Sequence, residues 1–219
     1  MKKILFIITV LMTGLMSNVC VSAKAADSDT HWVGTWATAP MESGSNNNPP
    51  SPGLANNSLR QIVQVSIGGE TVRLKLSNHF GNAPVEIKGV ELAIAKTAGS
   101  SSEIEETSTV SLTFGGSSSV TIAKGTMVAS DPVAFALTPR QNVAITIHYG
   151  SASSTVVCGH PGSRTTSYLK SGNTTDFTSA AKTDHWYHIL ALEVDAATVS
   201  AAPASASASR APASRASKL

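Results

Sequence analysis

Cysteine and aromatic residues are scarce in this sequence. Of its 219 residues only 2 are Cys, and Phe, Trp and Tyr together make up 5%. Cys20 lies in an apolar N-terminal stretch that is typical of a removable export signal, so Cys158 is left without an intrachain partner. A disulfide framework is therefore excluded, and we interpret Cys158 as a small buried apolar residue rather than as a nucleophile.

A large net charge is also absent. The formal net charge is +2, but six of the 16 basic residues lie at the two ends, whereas all 14 acidic residues lie between Asp27 and Asp195. The middle of the chain is therefore weakly acidic. This charge argues against nucleic acid or an anionic membrane as a partner.

The chain contains no convincing amphipathic helix of three turns. Apolar residues instead alternate with polar ones, as Val72, Leu74 and Leu76 do, and the same alternation recurs over residues 143–148. Such alternation is typical of a strand with one buried face. Many short strands separated by turn residues predict an all-β fold, a β-sandwich for which a jelly roll is one arrangement.

Two Gly-Gly pairs predict hairpin turns. Gly68-Gly69 joins the run 61–67 to the run 72–76, and Gly115-Gly116 joins 111–114 to 117–122. A two-residue glycine link fits a tight turn that needs positive φ. Near the end of the chain, one continuous strand is predicted over residues 186–195. Its alternation places these side chains on a single face: Trp186, His188, Leu190, Leu192 and Val194.

Composition divides the chain into four zones. Residues 1–25 have a charged start, an apolar run and a small-x-small end, which predict a secretory signal peptide. We predict an N-terminal strand and loop over 26–57, the β-sandwich domain over 58–199, and a disordered low-complexity tail over 200–219. The protein is therefore expected to be secreted or periplasmic, with no membrane attachment after signal cleavage.

Serine hydrolysis is the first chemistry that the abundant Ser and His residues suggest. It requires a Ser on a sharp turn, a His base, an acid that orients the His, and oxyanion donors. The sequence has no Gly-x-Ser-x-Gly elbow and no Gly-Asp-Ser block, and the surroundings of Ser28 and Ser163 match neither. We therefore predict no catalytic residue in this chain.

Metal sites and paired carboxylates are also weakly indicated. His185 and His188 are three residues apart, which places them on opposite faces of a strand. Glu103, Glu105 and Glu106 are predicted to form a solvated loop patch rather than a glycosidase pair. No metal ligand and no cofactor are predicted. We interpret all six histidines as surface or hydrogen-bonding residues: His31, His79, His148, His160, His185 and His188.

Exposed aromatic side chains could form a platform for sugars. In a small β-domain such side chains more often pack in the core or between elements. We therefore favour packing for the aromatic candidates, which are Trp32, Trp36, Trp186 and Tyr187.

Eight short motifs follow one another through the strand-rich region. They are WVGTWATAP (32–40), LRQ (59–61), GG (68–69), VRL (72–74), SNHFG (77–81), LTFGG (112–116), SDP (130–132) and WY (186–187). Their order and spacing resemble the start of the mature region in a branch of secreted SGNH/GDSL-type esterases and lipases. Each motif alone is weak, but the ordered set is specific and covers roughly residues 31–195.

The resemblance implies an N-terminal β-domain that precedes an α/β hydrolase domain. In such enzymes a Gly-Asp-Ser block carries the nucleophile, a Gly and an Asn complete the oxyanion hole, and an Asp-x-x-His block supplies the acid and the base. None of these blocks can be matched here, and residues 184–188 (DHWYH) have the wrong spacing. The likeness ends near 195–199. The resemblance thus implies an ester hydrolase truncated before its nucleophile and inactive alone, and we hypothesise that the tail is an out-of-frame reading of the hydrolase-coding region.

Two other functions stay open. One is a stand-alone secreted module that binds carbohydrate or a cell surface, a common role of β-sandwiches. The other is a scaffold or interaction domain, which a large exposed apolar patch would favour. The expected partners are therefore the hydrolase domain, a polysaccharide or an acylated substrate.

Overall fold

The computed structural model describes residues 31–199. The predictions for the signal peptide, Cys20, Ser28 and the tail lie outside these residues. Within them are two short 3-10 turns, at Ser45–Asn47 and Ala196–Thr198, and fifteen strands. The strands are β1 Trp32–Ala37, β2 Met41–Glu42, β3 Asn57–Gln64, β4 Gly69–Ser77, β5 Val85–Ala95, β6 Ile104–Ser111, β7 Val120–Ile122, β8 Met127–Ala129, β9 Val133–Leu137, β10 Asn142–Tyr149, β11 Cys158–His160, β12 Ser167–Ser171, β13 Ala181–Thr183, β14 Trp186–Tyr187 and β15 Ile189–Asp195.

The strands form two large antiparallel sheets and one small one. The first sheet has the order β1-β15-β4-β8, with β9 also paired to β4. The second has the order β13-β12-β3-β10-β5-β6, with β7 also paired to β5, and the small sheet is β14-β11-β2. The prediction of an all-β sandwich is confirmed. No helix of the described residues is long and apolar enough to cross a membrane.

The main core lies between the two large sheets. From the first sheet, Val72, Leu74 and Leu76 of β4 are completely buried, as their alternation predicts. From the second, Val143, Ile145 and Ile147 of β10 are equally buried and belong to the same apolar cluster. Interdigitation of these two inner faces is the arrangement expected for a sandwich.

The second sheet also buries part of its outer face. Strand β10 lies at its centre, so Ala144 and Thr146, which alternate with the core residues, are buried as well. Ala144 belongs to a smaller apolar cluster on that face. The other members of this outer cluster are Ile62, Ala93, Ala95, Ile104, Tyr168 and Phe177.

The hairpin predicted at Gly68-Gly69 is wrong. The strands on either side, β3 and β4, lie in different sheets, so this segment crosses the sandwich instead of turning back on itself. Neither glycine has positive φ. Gly68 is required for another reason: a Cβ at this position would lie 2.2 Å from the carbonyl oxygen of Leu137.

The tight turn predicted at Gly115-Gly116 is confirmed, but the hairpin predicted around it is limited to a single bridge between Phe114 and Ser117. Both glycines have positive φ, at 60° and 81°, and Phe114 and Ser117 exchange two backbone hydrogen bonds across the turn. The flanking strands β6 and β7 do not pair with each other, because each of them pairs with β5.

The single continuous strand predicted over residues 186–195 is also wrong. His188 separates β14 from β15 with a φ of 60°, and the register shifts again between Ile189 and Ala191. These two irregularities exchange the faces of the strand. Tyr187 and Ile189 are therefore buried in the main core together with Leu192 and Val194.

Candidate functional site

The six histidines lie in different parts of the fold. Among residues 31–199, no group of three or more His, Cys, Asp or Glu side chains could hold a metal ion. His188 is buried, whereas His185 is half-buried and accepts a hydrogen bond from the Gly162 N–H at 3.1 Å. Cys158 is a free, completely buried thiol, as its interpretation from the sequence predicts.

A Ser, a His and a carboxylate meet on the second sheet. The Oγ atom of Ser58 on β3 lies 2.8 Å from Nδ1 of His148 on β10. The Nε2 atom of His148 lies 3.8 Å from Oε2 of Glu91 on β5. Three neighbouring strands therefore place these residues in the order of a catalytic triad, a grouping that the sequence analysis did not anticipate.

The geometry makes Ser58 a structural residue. Its hydroxyl donates to the Gly172 carbonyl at 2.8 Å and accepts from the Thr174 N–H at 2.9 Å, and its exposure is 0%. Because the hydroxyl proton is used by Gly172, Nδ1 of His148 is the donor to Ser58 rather than its base. A nucleophile needs the opposite proton arrangement and access to the substrate.

His148 itself borders a small open cavity of about 450 Å³. Burial lowers the pKa of His148, and the Glu91 carboxylate opposes this shift. The imidazole is therefore neutral at pH 7. Its contact with Ser58 ties β10 to the 172–174 loop, which is the structural role that the hydrogen bonds support.

Ser163, the other serine singled out from the sequence, also closes a turn. It is buried, and its hydroxyl lies 2.9 Å from the Thr165 carbonyl and 2.8 Å from the Asp184 carbonyl. The single hydroxyl proton is shared between these two backbone oxygens. No base of the described residues contacts this hydroxyl.

The tryptophans pack instead of forming a flat platform. Trp36 and Trp186 contact edge to face with their ring centroids 4.9 Å apart, and His160 stacks on Trp186 at 5.7 Å. The Arg73 guanidinium lies 4.5 Å above the Trp32 ring. Tyr187 is buried in the main core. Each of the four aromatic side chains therefore packs against neighbouring side chains, which is the interpretation that the sequence favours.

A large cavity lies on the outer face of the second sheet. It is a groove of about 740 Å³ between the loop that joins β5 to β6 and the loop that joins β12 to β13. Arg60 lies between the two loops: Nη1 donates to the Ser102 carbonyl at 2.8 Å and Nη2 to the Thr175 carbonyl at 3.3 Å. We call this cavity the Arg60 groove.

Arg60 is not among the site residues predicted from the sequence. Its guanidinium lies 4.3 Å above the Phe177 ring, and Nε donates to Thr146 Oγ1 at 2.9 Å. The sequence feature that points to Arg60 is its position within the mostly apolar run of β3. Burying a charge is costly, so an Arg in such a run indicates a specific set of polar contacts. Burial lowers the pKa of Arg60, and the charges of Glu106 and Glu91 oppose that shift.

The acidic patch predicted near residue 103 lies partly in a strand. Glu105 and Glu106 belong to β6, so the prediction of a loop is wrong for these two residues. All three glutamates are exposed. Glu103 and Glu106 line the Arg60 groove, whereas Glu105 does not.

The sequence motifs contact one another across the fold. Gln61 of the LRQ motif exchanges two hydrogen bonds with the backbone of Tyr187 in the WY motif, at 2.6 and 3.0 Å. The Leu74 N–H of the VRL motif donates to Ser130 Oγ of the SDP motif at 3.0 Å. Motifs that are far apart in sequence therefore form buried contacts between side chain and backbone.

Two further motifs fix turns. The Asp131 carboxylate of the SDP motif accepts from Thr113 Oγ1 at 2.6 Å, from the Gly115 N–H at 3.0 Å and from the Gly116 N–H at 2.8 Å. Asn78 of the SNHFG motif is buried, and its amide donates to the carbonyl of Ala83 at 2.9 Å. These side chains hold the loops of the LTFGG and SNHFG motifs in place.

A buried polar pair lies in the main core beside the small sheet. Nδ1 of His188 lies 3.1 Å from the Tyr149 hydroxyl, and both residues are almost completely buried. Burial lowers the pKa of His188 to about 4 and raises the pKa of Tyr149 well above its ordinary value. Both groups are therefore neutral at pH 7, and their contact stabilises the fold without offering a reactive atom at the surface.

No model of a known protein family matches the sequence, and no curated protein matches it either. The resemblance to SGNH/GDSL-type enzymes therefore rests on the motifs alone.

Proposed function

We propose that this chain contains the non-catalytic β-domain of a secreted SGNH/GDSL-type ester hydrolase. The single observation that supports the proposal is the contact between motifs. Gln61 with Tyr187, Leu74 with Ser130, and Asp131 with Thr113 each join two motifs of the ordered set. Motifs that contact one another in this way belong to one folding unit. Sequences that contain the same ordered motifs are therefore expected to contain the same β-domain.

The motifs have structural roles in that domain. Their buried polar groups accept or donate hydrogen bonds within the sandwich, and such fully paired buried groups specify a fold. An SGNH-type reaction needs a nucleophilic Ser, a base and oxyanion donors. In this proposal those groups belong to the hydrolase domain, and the β-domain contributes folding, positioning or access of the substrate.

Complementation between separate domains tests the proposal. The purified chain is mixed with the hydrolase domain of a two-domain SGNH enzyme that carries the same eight motifs, expressed without its own β-domain. We expect a 1:1 complex by light scattering and a higher turnover of p-nitrophenyl acetate than the hydrolase domain shows alone. An unrelated secreted β-sandwich serves as the control. If the two proteins elute separately and turnover is unchanged, the proposal is wrong.

The coding DNA provides a second test, which does not depend on domain contacts. The region downstream of the codon for Asp195 is translated in the other two frames. The out-of-frame hypothesis predicts a strand that ends in Gly-Asp-Ser and a later Asp-x-x-His block. Absence of both blocks from both frames rejects that hypothesis.

A further inference from the structure

The Arg60 groove has the size and the lining of a ligand site. Its volume of about 740 Å³ lies within the range of about 300–1,000 Å³ that is usual for small-molecule sites. Its base includes Ile104, Tyr168 and Phe177, which belong to the outer cluster of the second sheet. The base is therefore apolar, with Ile104 on β6, Tyr168 on β12 and Phe177 on the loop after β12, whereas the walls are loops rich in Ser and Thr.

Arg60 connects the two walls of the groove and is one of its lining residues. It is only 3% exposed, and no carboxylate of the described residues forms an ion pair with it. A guanidinium has five N–H groups, and three of them donate to Thr146, Ser102 and Thr175. The two others, one on each terminal nitrogen, have no acceptor among residues 31–199. A molecule bound in the groove would supply oxygen acceptors for these two N–H groups if it reaches them.

The charges around the groove are balanced. Its exposed rim has two ammonium groups, Lys96 and Lys182, and three carboxylates, Glu103, Glu106 and Asp176. The buried Arg60 guanidinium adds the third positive charge. The rim has one more carboxylate than ammonium groups and therefore repels an anionic ligand. The whole lining offers both hydrogen-bond donors and acceptors to a neutral ligand.

Such a lining suits a neutral molecule that is rich in hydroxyl groups. Each sugar hydroxyl both donates and accepts, and hydrogen bonds to charged groups are about twice as strong as those between neutral groups. An uncharged saccharide could donate to Glu103, Glu106 or Asp176 and accept from Arg60, Lys96 or Lys182. A polyanion would instead meet three carboxylates at the mouth of the groove.

We propose that the Arg60 groove is a binding site for a neutral oligosaccharide. The proposal is argued from the lining of the groove alone and does not use the pairing of this chain with a hydrolase domain. The tryptophans are not required for it, because Trp36 and Trp186 lie outside the groove lining.

Affinity electrophoresis of the purified full-length chain tests the proposal. The gels contain arabinoxylan, galactomannan, xyloglucan, mixed-linkage glucan or, as an anionic competitor class, polygalacturonate. We expect retardation in at least one neutral gel and none in polygalacturonate. Titration calorimetry with oligosaccharides from the retarding polymer then gives the dissociation constant.

Matched double variants locate the binding. Lys182→Ala with Glu106→Ala removes two exposed groove side chains that form no hydrogen bond in the described fold. Because Lys182 lies 5.8 Å from the centre of the Tyr168 ring and the Glu106 charge favours charged Arg60, the unfolding midpoint is measured beside binding, and we expect it to fall only slightly. We expect affinity to fall at least tenfold. Lys124→Ala with Glu70→Ala removes exposed charges of the same kinds outside the groove and should bind like the unmodified chain. Equal binding by both variants, no retardation in any neutral gel, or stronger retardation in polygalacturonate would each overturn the proposal.

Discussion

Gln61 and Tyr187 join the second large sheet to the small sheet through a two-way amide bridge. The Tyr187 N–H donates to Oε1 of Gln61 at 2.6 Å, and Nε2 of Gln61 donates to the Tyr187 carbonyl at 3.0 Å. Gln61 is 0% exposed. The Gln61 amide thus supplies the acceptor and the donor that a neighbouring strand would otherwise supply to the buried N–H and C=O of Tyr187.

Replacing Gln61 tests this bridge. Gln61→Leu keeps the volume but leaves the N–H and C=O of Tyr187 unpaired in the core, and each unpaired group costs about 1–3 kcal/mol. We expect the free energy of unfolding to fall by about 3 kcal/mol in urea titrations. Gln64→Leu, at an exposed position of the same strand, should change it by less than about 0.5 kcal/mol. Equal effects of the two substitutions would show that the bridge is not stabilising.

His188 predicts a loss of stability in weak acid. Burial lowers its pKa to about 4 in the folded protein, whereas the unfolded chain binds a proton near pH 6.5. The unfolded state therefore takes up the proton first as the pH falls. Above about pH 6.5 the titration of His188 does not affect the free energy of unfolding. As the pH decreases from there toward 4, the free energy of unfolding falls by a total of about 3 kcal/mol.

The His188→Asn variant provides the control. Asn tolerates the positive φ that this position requires, but it does not titrate in this range. Urea titrations between pH 4 and pH 7 should show a smaller pH slope for the variant than for the unmodified chain. Identical slopes would mean that other groups cause the acid sensitivity.

Asp131 predicts a second pH effect, with a different window. Its hydrogen bonds from Thr113 Oγ1 and from the Gly116 and Gly115 N–H groups lower the pKa of the carboxyl group below its ordinary value. The stabilisation by the carboxylate is thus present above the ordinary pKa and is lost as the pH falls through the folded pKa. We expect Asp131→Asn to lower the thermal midpoint at pH 7, with a deficit that shrinks below pH 4. A deficit that is constant with pH would contradict this assignment.

Gly68 is needed for a close approach between two segments. A Cβ there would lie 2.2 Å from the backbone oxygen of Leu137, which cannot move without shifting β9. We expect Gly68→Ala to destabilise the domain by about 1–3 kcal/mol, the usual cost of overpacking. At Gly34 a Cβ would meet nothing within 4 Å, so Gly34→Ala is the matched control. A similar loss for both variants would attribute the effect to the replacement of glycine itself rather than to the close approach of Leu137.

The sequence was informative wherever a local pattern decides the structure. Alternation in β4 correctly predicts its buried face, since Val72, Leu74 and Leu76 are all inside. The positive φ of Gly115 and Gly116 follows equally from a local rule. Gly68-Gly69 follows the same rule in sequence but crosses between sheets, because the choice of strand partner depends on distant residues.

The polar groupings depended on register between distant strands. Ser58 and His148 are ninety residues apart and meet because β3 and β10 pair at that position. Arg60 meets Ser102 and Thr175 through two loops that only the fold brings together. The face exchange after Tyr187 follows from the positive φ at His188 together with the register shift between Ile189 and Ala191. His adopts positive φ more often than most residues, but its presence alone does not locate such an irregularity.

The hydrogen bonds make Ser58 a structural residue rather than an activated nucleophile, although Ser58, His148 and Glu91 stand in triad order. Intact-mass spectrometry after treatment of the purified chain with a fluorophosphonate measures this directly, because such probes label only activated serines. The unmodified chain should show no mass increase, since the Ser58 hydroxyl is buried and donates to Gly172. A stoichiometric adduct that maps to Ser58 and disappears in His148→Ala would contradict the account.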